Sequence, residues 1–260
     1  MHVKAIQTHR IEPGESLEEI LDHYLLVPSE QTIVVITSKI ISICQNRLVS
    51  KVGISKKALV EKEADAILQT TENPYDLYLT LKDNILIPSA GIDESNGDKV
   101  YILYPQDVQT TAIHLWNSLK EKYALEQLGI LITDSHTTPM RRGVTGIGLG
   151  WCGFAPLYSY VGKPDLYGEP LRVTQINLLD ALATAAVLVM GEGNEQTPLA
   201  LINGAPRISF LNRPPTSAEE QSVIISMEED LYAPLLRGAK WLKKDEMMDL
   251  IGQKLHQAPV

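Results

Sequence analysis

Two cysteines in 260 residues, Cys44 and Cys152, are too few for a disulfide framework. They also lack any matching Cys/His spacing, which speaks against zinc. Positive charge is scarce: 23 Lys and Arg against 32 Asp and Glu leave a net charge of −9. That balance excludes a general nucleic-acid binder, which needs a basic footprint. An acidic chain still binds an anion where a metal or a few local Arg and Lys residues reverse the field. No apolar run approaches the roughly 18–20 residues that span a bilayer, and the opening residues do not read as a signal peptide. A soluble cytoplasmic protein is expected, binding neither nucleic acid nor membrane. There is no G-x-x-x-x-G-K-[ST], so any nucleotide is held by something other than a P-loop. Gly148 to Gly153 does match G-x-G-x-x-G, but Pro156 follows and no helix opens there to receive a pyrophosphate. Internal repeats and low-complexity segments are absent.

What is present is ordinary globular material, 44% hydrophobic and 21% charged. The length suits one large domain or two modest ones. We expect a single unit, with two subdomains as an option, and a helical region over 214–260. Residues 2–8 read as a strand and 17–24 as a helix. Residues 31–38 read as a better strand, with four consecutive β-branched residues, Ile33 to Ile36. It places Ser38 and Lys39 at its exit. Residues 57–70 look helical, 77–86 like one or two strands, and 99–104 like a strand. Asp107 is placed to cap a helix whose apolar positions Val108, Ala112, Leu115, Trp116 and Leu119 follow helical spacing. Residues 143–150 are Gly-rich, and 171–175 read as a strand. Asn177 to Met190 reads as a helix hydrophobic around most of its surface, hence buried. Residues 199–202 form the last clear strand, and Thr216 to Glu220 carries a capping-box pattern. Strands alternating with helices make the class α/β or mixed α+β.

The stretch richest in chemistry runs from Gly129 to Gly143. A short apolar run, read as a buried strand, delivers Asp134, Ser135, His136 and the pair Arg141 and Arg142 into a loop punctuated by Pro139 and Gly143. Ligands of open α/β folds bind at the carboxyl ends of strands, where such loops emerge. A carboxylate suits a cation, and a guanidinium suits phosphate or carboxylate oxygens. His136 is a candidate general base or a plain hydrogen-bond partner. Two further loops carry similar chemistry, Asp93 to Asn96 and Glu192 to Thr197. Taken singly, the first is as well read as an Asx turn and the second as a solvated helix terminus. Jointly, Asp93, Asp134, the Ser135 hydroxyl and Glu192 supply oxygen ligands for one or two Mg²⁺ or Mn²⁺ ions against a triphosphate.

Several motifs in order, Ser38-Lys39-Ile40-Ile41-Ser42, Ala90 to Asn96, Ile132 to Ser135 with Pro139 to Gly143, Asp165 to Gly168, Leu171 to Thr174 and Met190 to Gly193, resemble the gamma-glutamyl ligases of the deazaflavin coenzyme F-420 pathway. The resemblance runs from residue 32 to about 203. It implies a GTP-dependent, divalent-metal ligase that joins L-glutamate by an amide to a carboxylate, and an intertwined homodimer with a mixed α/β fold of its own. By motif it makes Asp93, Asp134, Ser135 and Glu192 metal ligands. Ser38, Lys39, Asn96 and the loop Met190, Gly191, Glu192, Gly193, Asn194, Glu195, Gln196 and Thr197 become nucleotide contacts. Arg141 and Arg142 are assigned catalytic roles from charge and position alone, near the oxyanion of the amide-forming step.

The chain departs from the family pattern at Ile43, where a nucleotide-contacting Lys is usual. It departs again at Gln45, Asn46, Thr137, Thr138 and Met140, while the acids are kept. The form from Thr133 to Gly143 resembles a bacterial branch associated with folate metabolism. A dihydro- or tetrahydrofolate is therefore the expected acceptor, with the deazaflavin second and GTP or ATP as co-substrate. A nucleotide- and metal-binding regulatory protein without turnover is the reading from another class, supported by Ile43.

Overall fold

The computed structural model describes residues 1–25, 27–69, 75 and 77–247. The strands are β1 (His2–Ile6), β2 (Thr32–Thr37), β3 (Leu48–Ser50), β4 (Ala66–Leu68), β5 (Leu79–Lys82), β6 (Ile85–Pro88) and β7 (Val100–Ile102). They continue with β8 (Leu128–Thr137), β9 (Val144–Cys152), β10 (Leu157–Ser159), β11 (Gln175–Asn177), β12 (Leu199–Asn203) and β13 (Trp241–Lys243). The helices are α1 (Leu17–Tyr24), α2 (Ser38–Cys44), α3 (Lys56–Glu63), α4 (Val108–Tyr123), α5 (Leu178–Met190), α6 (Ser217–Ser222) and α7 (Ala233–Gly238). The class is mixed α/β.

The chain divides into two compact units. Met1–Asn46 and Pro105–Val223 make the first; Arg47–Tyr104 and the chain from Ile224 on make the second. In the first unit a five-stranded sheet runs β1-β12-β2-β8-β9. Only β2 and β8 are parallel; the other neighbours are antiparallel. β2 is buried from Thr32 to Ile36 and β8 from Leu128 to Thr133, as the unbroken apolar runs require of central strands covered on both faces. Each fully buried Val, Ile or Leu there contributes about 1.5–3 kcal/mol. Ile33, Val35, Leu131, Trp151, Ala200 and Ile202 pack with α5. The alternate residues Val34, Ile36, Ile130 and Ile132 turn to the other face, where α4 meets β8 and β9.

The Gly-rich stretch that follows Gly143 is strand β9. Glycine weakens a strand, and its presence there marks a close approach. A Cβ on Gly146 would lie 2.3 Å from the carbonyl carbon of Ala183, and one on Gly148 would lie 2.3 Å from Leu179 Cγ. These glycines are a trough that seats α5 against the strand. Asp180 fixes the seat by accepting the Gly148 N–H at 2.8 Å, and Thr184 Oγ1 donates to the Gly146 carbonyl at 3.1 Å.

The second unit holds a four-stranded antiparallel sheet, β13-β4-β5-β6, and the pair β3-β7. Its core gathers Leu59, Val60, Ile67, Ala90, Ile92, Tyr101, Leu103 and Met247. The 77–86 stretch resolves into two strands, β5 and β6, joined by Asp83 and Asn84 at φ 49° and 61°. Two such residues make the tight turn that suits strand twist.

Several expectations are corrected. The helix read over 57–70 stops at Glu63, because Ala66 to Leu68 pair with β5 and β13. Sheet pairing there overrides a helix-rich composition. The strand read over 171–175 lies at Gln175–Asn177, set by its partner β10. α5 buries one face only, since it lies against a single sheet; Leu188 is 83% exposed. The region from 214 to 260 contributes α6 to the first unit and α7 with β13 to the second, and 248–260 fall outside the described residues.

Two measurements follow from this packing. Gly146→Ala meets backbone and is expected to cost about 1–3 kcal/mol in denaturant unfolding, more than Gly148→Ala, which meets a side chain. The capping box on α6 has Thr216 Oγ1 accepting from Glu219 N–H and the Glu219 carboxylate accepting from Thr216 N–H. The Arg213 guanidinium and the Thr216 N–H together pull the Glu219 carboxyl down to about 2. A depressed carboxyl stabilises the fold above its unfolded value and loses that contribution as pH falls through the folded one. Hydrogen exchange at the α6 amides should therefore accelerate as pH drops from about 4.5 toward about 2, after correction for intrinsic rates. Glu219→Gln should remove the step.

Candidate functional site

The last parallel pair between β2 and β8 is Thr37 with Thr133. Beyond it the chain continues from β2 to Ser38 and Lys39, at the start of α2, and along β8 to Asp134 and Ser135. β12 runs the opposite way, so its amino end arrives beside them: Thr37 N–H donates to the Pro198 carbonyl at 3.0 Å. Three expected site segments, 38–39, 134–135 and 190–197, thus reach one end of the sheet on adjacent strands roughly 4.8 Å apart. This is the end where ligands of open sheets bind.

Each segment is held in its own way. Ser38 is 4% exposed and opens α2 directly. Asp134 and Ser135 stand on the strand itself, because β8 continues to Thr137 paired with β9. The loop expected from Asp134 begins only at Thr138. Ser135 N–H donates to Asp134 Oδ1 at 2.7 Å. A register shift between Ile132 and Thr133 marks a bulge, and buried Thr133 spans it by donating from Oγ1 to the Ile147 carbonyl at 2.9 Å. Bulges re-aim side chains, and this one immediately precedes the acid.

The 190–197 loop leaves α5 through Gly191 at φ 78° and closes on itself, the Thr197 hydroxyl donating to the Met190 carbonyl. Glu195 turns its carboxylate inward to accept the Gly193 N–H at 2.8 Å. Thr8 N–H donates to the Gln196 carbonyl at 2.9 Å, so β1's exit steadies the loop from outside. Glu192 and Asn194 are exposed on it.

Asp93 and Asn96 belong to the second unit. Asp93 exchanges backbone hydrogen bonds with Ile102, both at 2.9 Å. Its carboxylate accepts from Ser95 N–H and Oγ, each at 2.7 Å. Asn96, exposed, sits at φ 55°. Among the described residues of either unit taken alone, no three His, Cys, Asp or Glu side chains gather to hold a metal. The chemistry of the expected donors nonetheless fits a hard divalent cation, since every one is an oxygen.

Arg141 and Arg142 sit on the exposed tip of the β8–β9 hairpin. Three residue steps of extended strand, roughly 10 Å, separate Asp134 from Thr137, the last paired residue before that tip. His136 faces Thr145 across the ribbon. Asp180, which ties α5 to β9, and Thr133 were missed by sequence reasoning. Asp180 had one signal, its place three residues after the helix-capping Asn177, whose side chain accepts the Asp180 N–H.

The profile of the F420-0:Gamma-glutamyl ligase family matches residues 5–204, which include every segment just described. The chain belongs to this family. Membership makes it an acid–amino-acid ligase. The coenzyme F420:L-glutamate ligase of Methanopyrus kandleri is 28% identical over 240 residues, covering 86% of this chain and 93% of its own. That of Methanocaldococcus jannaschii is 28% identical over 215 residues, covering 82% and 78%. That of Methanosarcina mazei reaches 34% over 149 residues, 57% of each chain. The family's matched region holds both cysteines, and neither is disposed to react. Burial first, then the charges of Glu15 and Glu18, pushes the Cys44 thiol up to about 11, and burial pushes Cys152 up to about 12. Near neutral pH iodoacetamide should label both roughly 100-fold more slowly than an ordinary thiol, with activity unaffected. Mass spectrometry before and after unfolding checks this.

Proposed function

We propose that this ligase adds L-glutamate to a carboxylate on a deazaflavin acceptor of the coenzyme F420 type, using GTP or ATP with Mg²⁺ or Mn²⁺. The delivery of Ser38-Lys39, Asp134-Ser135 and the 190–197 loop to one sheet end carries the reading. The relatives' names favour the deazaflavin over the folate that the sequence placed first. In this reading Lys39, Ser38 and the loop from Met190 to Thr197 hold the triphosphate. Asp134, Ser135 and Glu192 are the first unit's oxygen ligands for a divalent cation; the second unit, taken by itself, offers Asp93 as a cation ligand. The bound cation neutralises phosphate charge.

The acceptor carboxylate attacks the γ-phosphorus, the nucleoside diphosphate leaves, and an acyl phosphate results. The glutamate amine then attacks the acyl carbon, phosphate departs, and the nitrogen gives up a proton. Positive charge for the tetrahedral oxyanion is assigned to Arg141 and Arg142, carried on the exposed tip of the two-stranded ribbon. The homodimer belongs to the same proposal. Leu166, Tyr167 and Val173, 98%, 92% and 85% exposed, supply apolar surface for a second copy.

A folate acceptor remains the second reading because of the hairpin tip. Thr137, Thr138 and a fully exposed Met140 offer a flat neutral ring hydroxyls and a pliable thioether, and no Arg stands at 137–138 to meet a phosphodiester. Purified protein with labelled glutamate, nucleotide and each acceptor separates the two. Labelling of the deazaflavin precursor is expected; labelling of a reduced folate alone would reverse the order. Absence of phosphate release with either would indicate a regulatory binding protein. Asp134→Asn is expected to reduce turnover roughly 100-fold or more with the fold intact by circular dichroism.

A further inference from the structure

Just before Asp93 the backbone enters the left-handed region three times in succession, at Ser89 (φ 51°), Ala90 (φ 54°) and Gly91 (φ 68°). Glycine adopts that region freely, whereas the other residues do so at a cost and only where neighbours over-determine them. Gly91 has no alternative, since a Cβ there would lie 2.7 Å from Tyr104 Cδ2. Ala90 is wholly buried and Ser89 is 2% exposed, with its hydroxyl unpartnered. Both the backbone and that hydroxyl therefore work against the turn.

One side chain ties the turn down, together with backbone bonds. Thr80, in the middle of β5 and 0% exposed, uses its hydroxyl twice: it donates to the Ile87 carbonyl and accepts the Ala90 N–H at 2.8 Å. Ser89 N–H adds a bond to the Tyr78 carbonyl at 2.6 Å, and Ile92 N–H closes the turn on the Ser89 carbonyl at 3.0 Å. The chain leaves this turn into Asp93, whose backbone is at once locked to Ile102. The far side of the loop is stapled too. Lys56 pairs with Glu94 at 2.7 Å, and Lys51 donates to the Asp98 carbonyl at 3.3 Å.

We propose that Thr80 is a positioning residue for the Asp93–Asn96 loop. Its hydroxyl fixes the left-handed turn from which the Asp93 carboxylate is aimed, and so sets affinity for a divalent cation without touching it. This rests on the reading of Asp93 as a cation ligand. Groups that orient a metal's ligands without touching the metal typically change its affinity about 10–100-fold when removed.

The test is Mn²⁺ binding to the full chain, read from the electron paramagnetic resonance signal of free Mn²⁺, with folding checked by thermal melting. Thr80→Val keeps the shape without the hydroxyl and should weaken binding about 10-fold. Thr80→Ser keeps the hydroxyl and should bind within about twofold of the native chain. Asp93→Asn should weaken binding about 100-fold. Where Thr80→Val does not fold, Thr80→Cys is read instead; its thiol is a weak donor and acceptor, and an intermediate loss is expected. Native Mn²⁺ affinity in the folded Val or Cys variant, alongside a loss in Asp93→Asn, overturns the role of Thr80 and leaves Asp93 a ligand. Native affinity in Asp93→Asn overturns the cation reading and the proposal together. Equal losses in the Ser and Val variants assign the effect to packing and overturn it as well.

Discussion

One parallel pairing governs the first unit. In a sheet whose other neighbours are antiparallel, β2 and β8 alone run side by side in the same direction. A parallel pair cannot be joined by a hairpin and needs a crossover. Here the crossover is unusually long, from Ser38 to Gln127, and it contains the whole of Arg47–Tyr104. The same pairing puts the exits of both strands at one edge, and antiparallel β12 returns its amino end to that edge. Every first-unit segment assigned to the nucleotide or the cation depends on that arrangement.

Sequence pattern was most legible where local chemistry and tertiary demand agree. α1 spans the expected 17–24, since Ser16 caps it and Leu17, Ile20 and Leu21 are the buried positions. The buried positions of α4 are those its spacing marked, Val108, Ala112, Leu115, Trp116 and Leu119. The same agreement makes β2 a strand and Thr216 a cap. Where the two conflict, pattern misleads. β9 owes its place to glycines that no strand propensity favours, because α5 needs their missing side chains. Ala66 to Leu68 follow a helix-like run, yet β5 and β13 claim them.

The candidate site was legible as chemistry and not as geometry. The acids stand out because Asp134 ends a buried run and Glu192 follows a long apolar helix. Nothing local told that β8 would carry Asp134, Ser135 and His136 on paired strand, since the partner residues, 145 to 147, lie across a turn. Some of the bonds that fix the frame join residues far apart in sequence, such as Thr8 with Gln196 at the 190–197 loop and Gln109 of α4 with the backbone of Trp151 on β9. A hydroxyl such as that of Thr80, whose work is done on residues 87 and 90, has no pattern that separates it from any other strand threonine.

The interleaving of the two units bears on how the chain is made. β1 has its partner in β12, beyond the whole of Arg47–Tyr104, with His2 opposite Asn203. The second unit begins at Arg47 but closes its sheet with β13, Lys243 opposite Ala66. Neither sheet can be completed while the chain is half made, and each waits for residues that follow a segment of the other. Contacts of such sequence separation fold slowly, because loop closure precedes any gain from pairing. β1 therefore stands unpaired until β12 has been made, a period in which an open strand edge is exposed to the wrong partner.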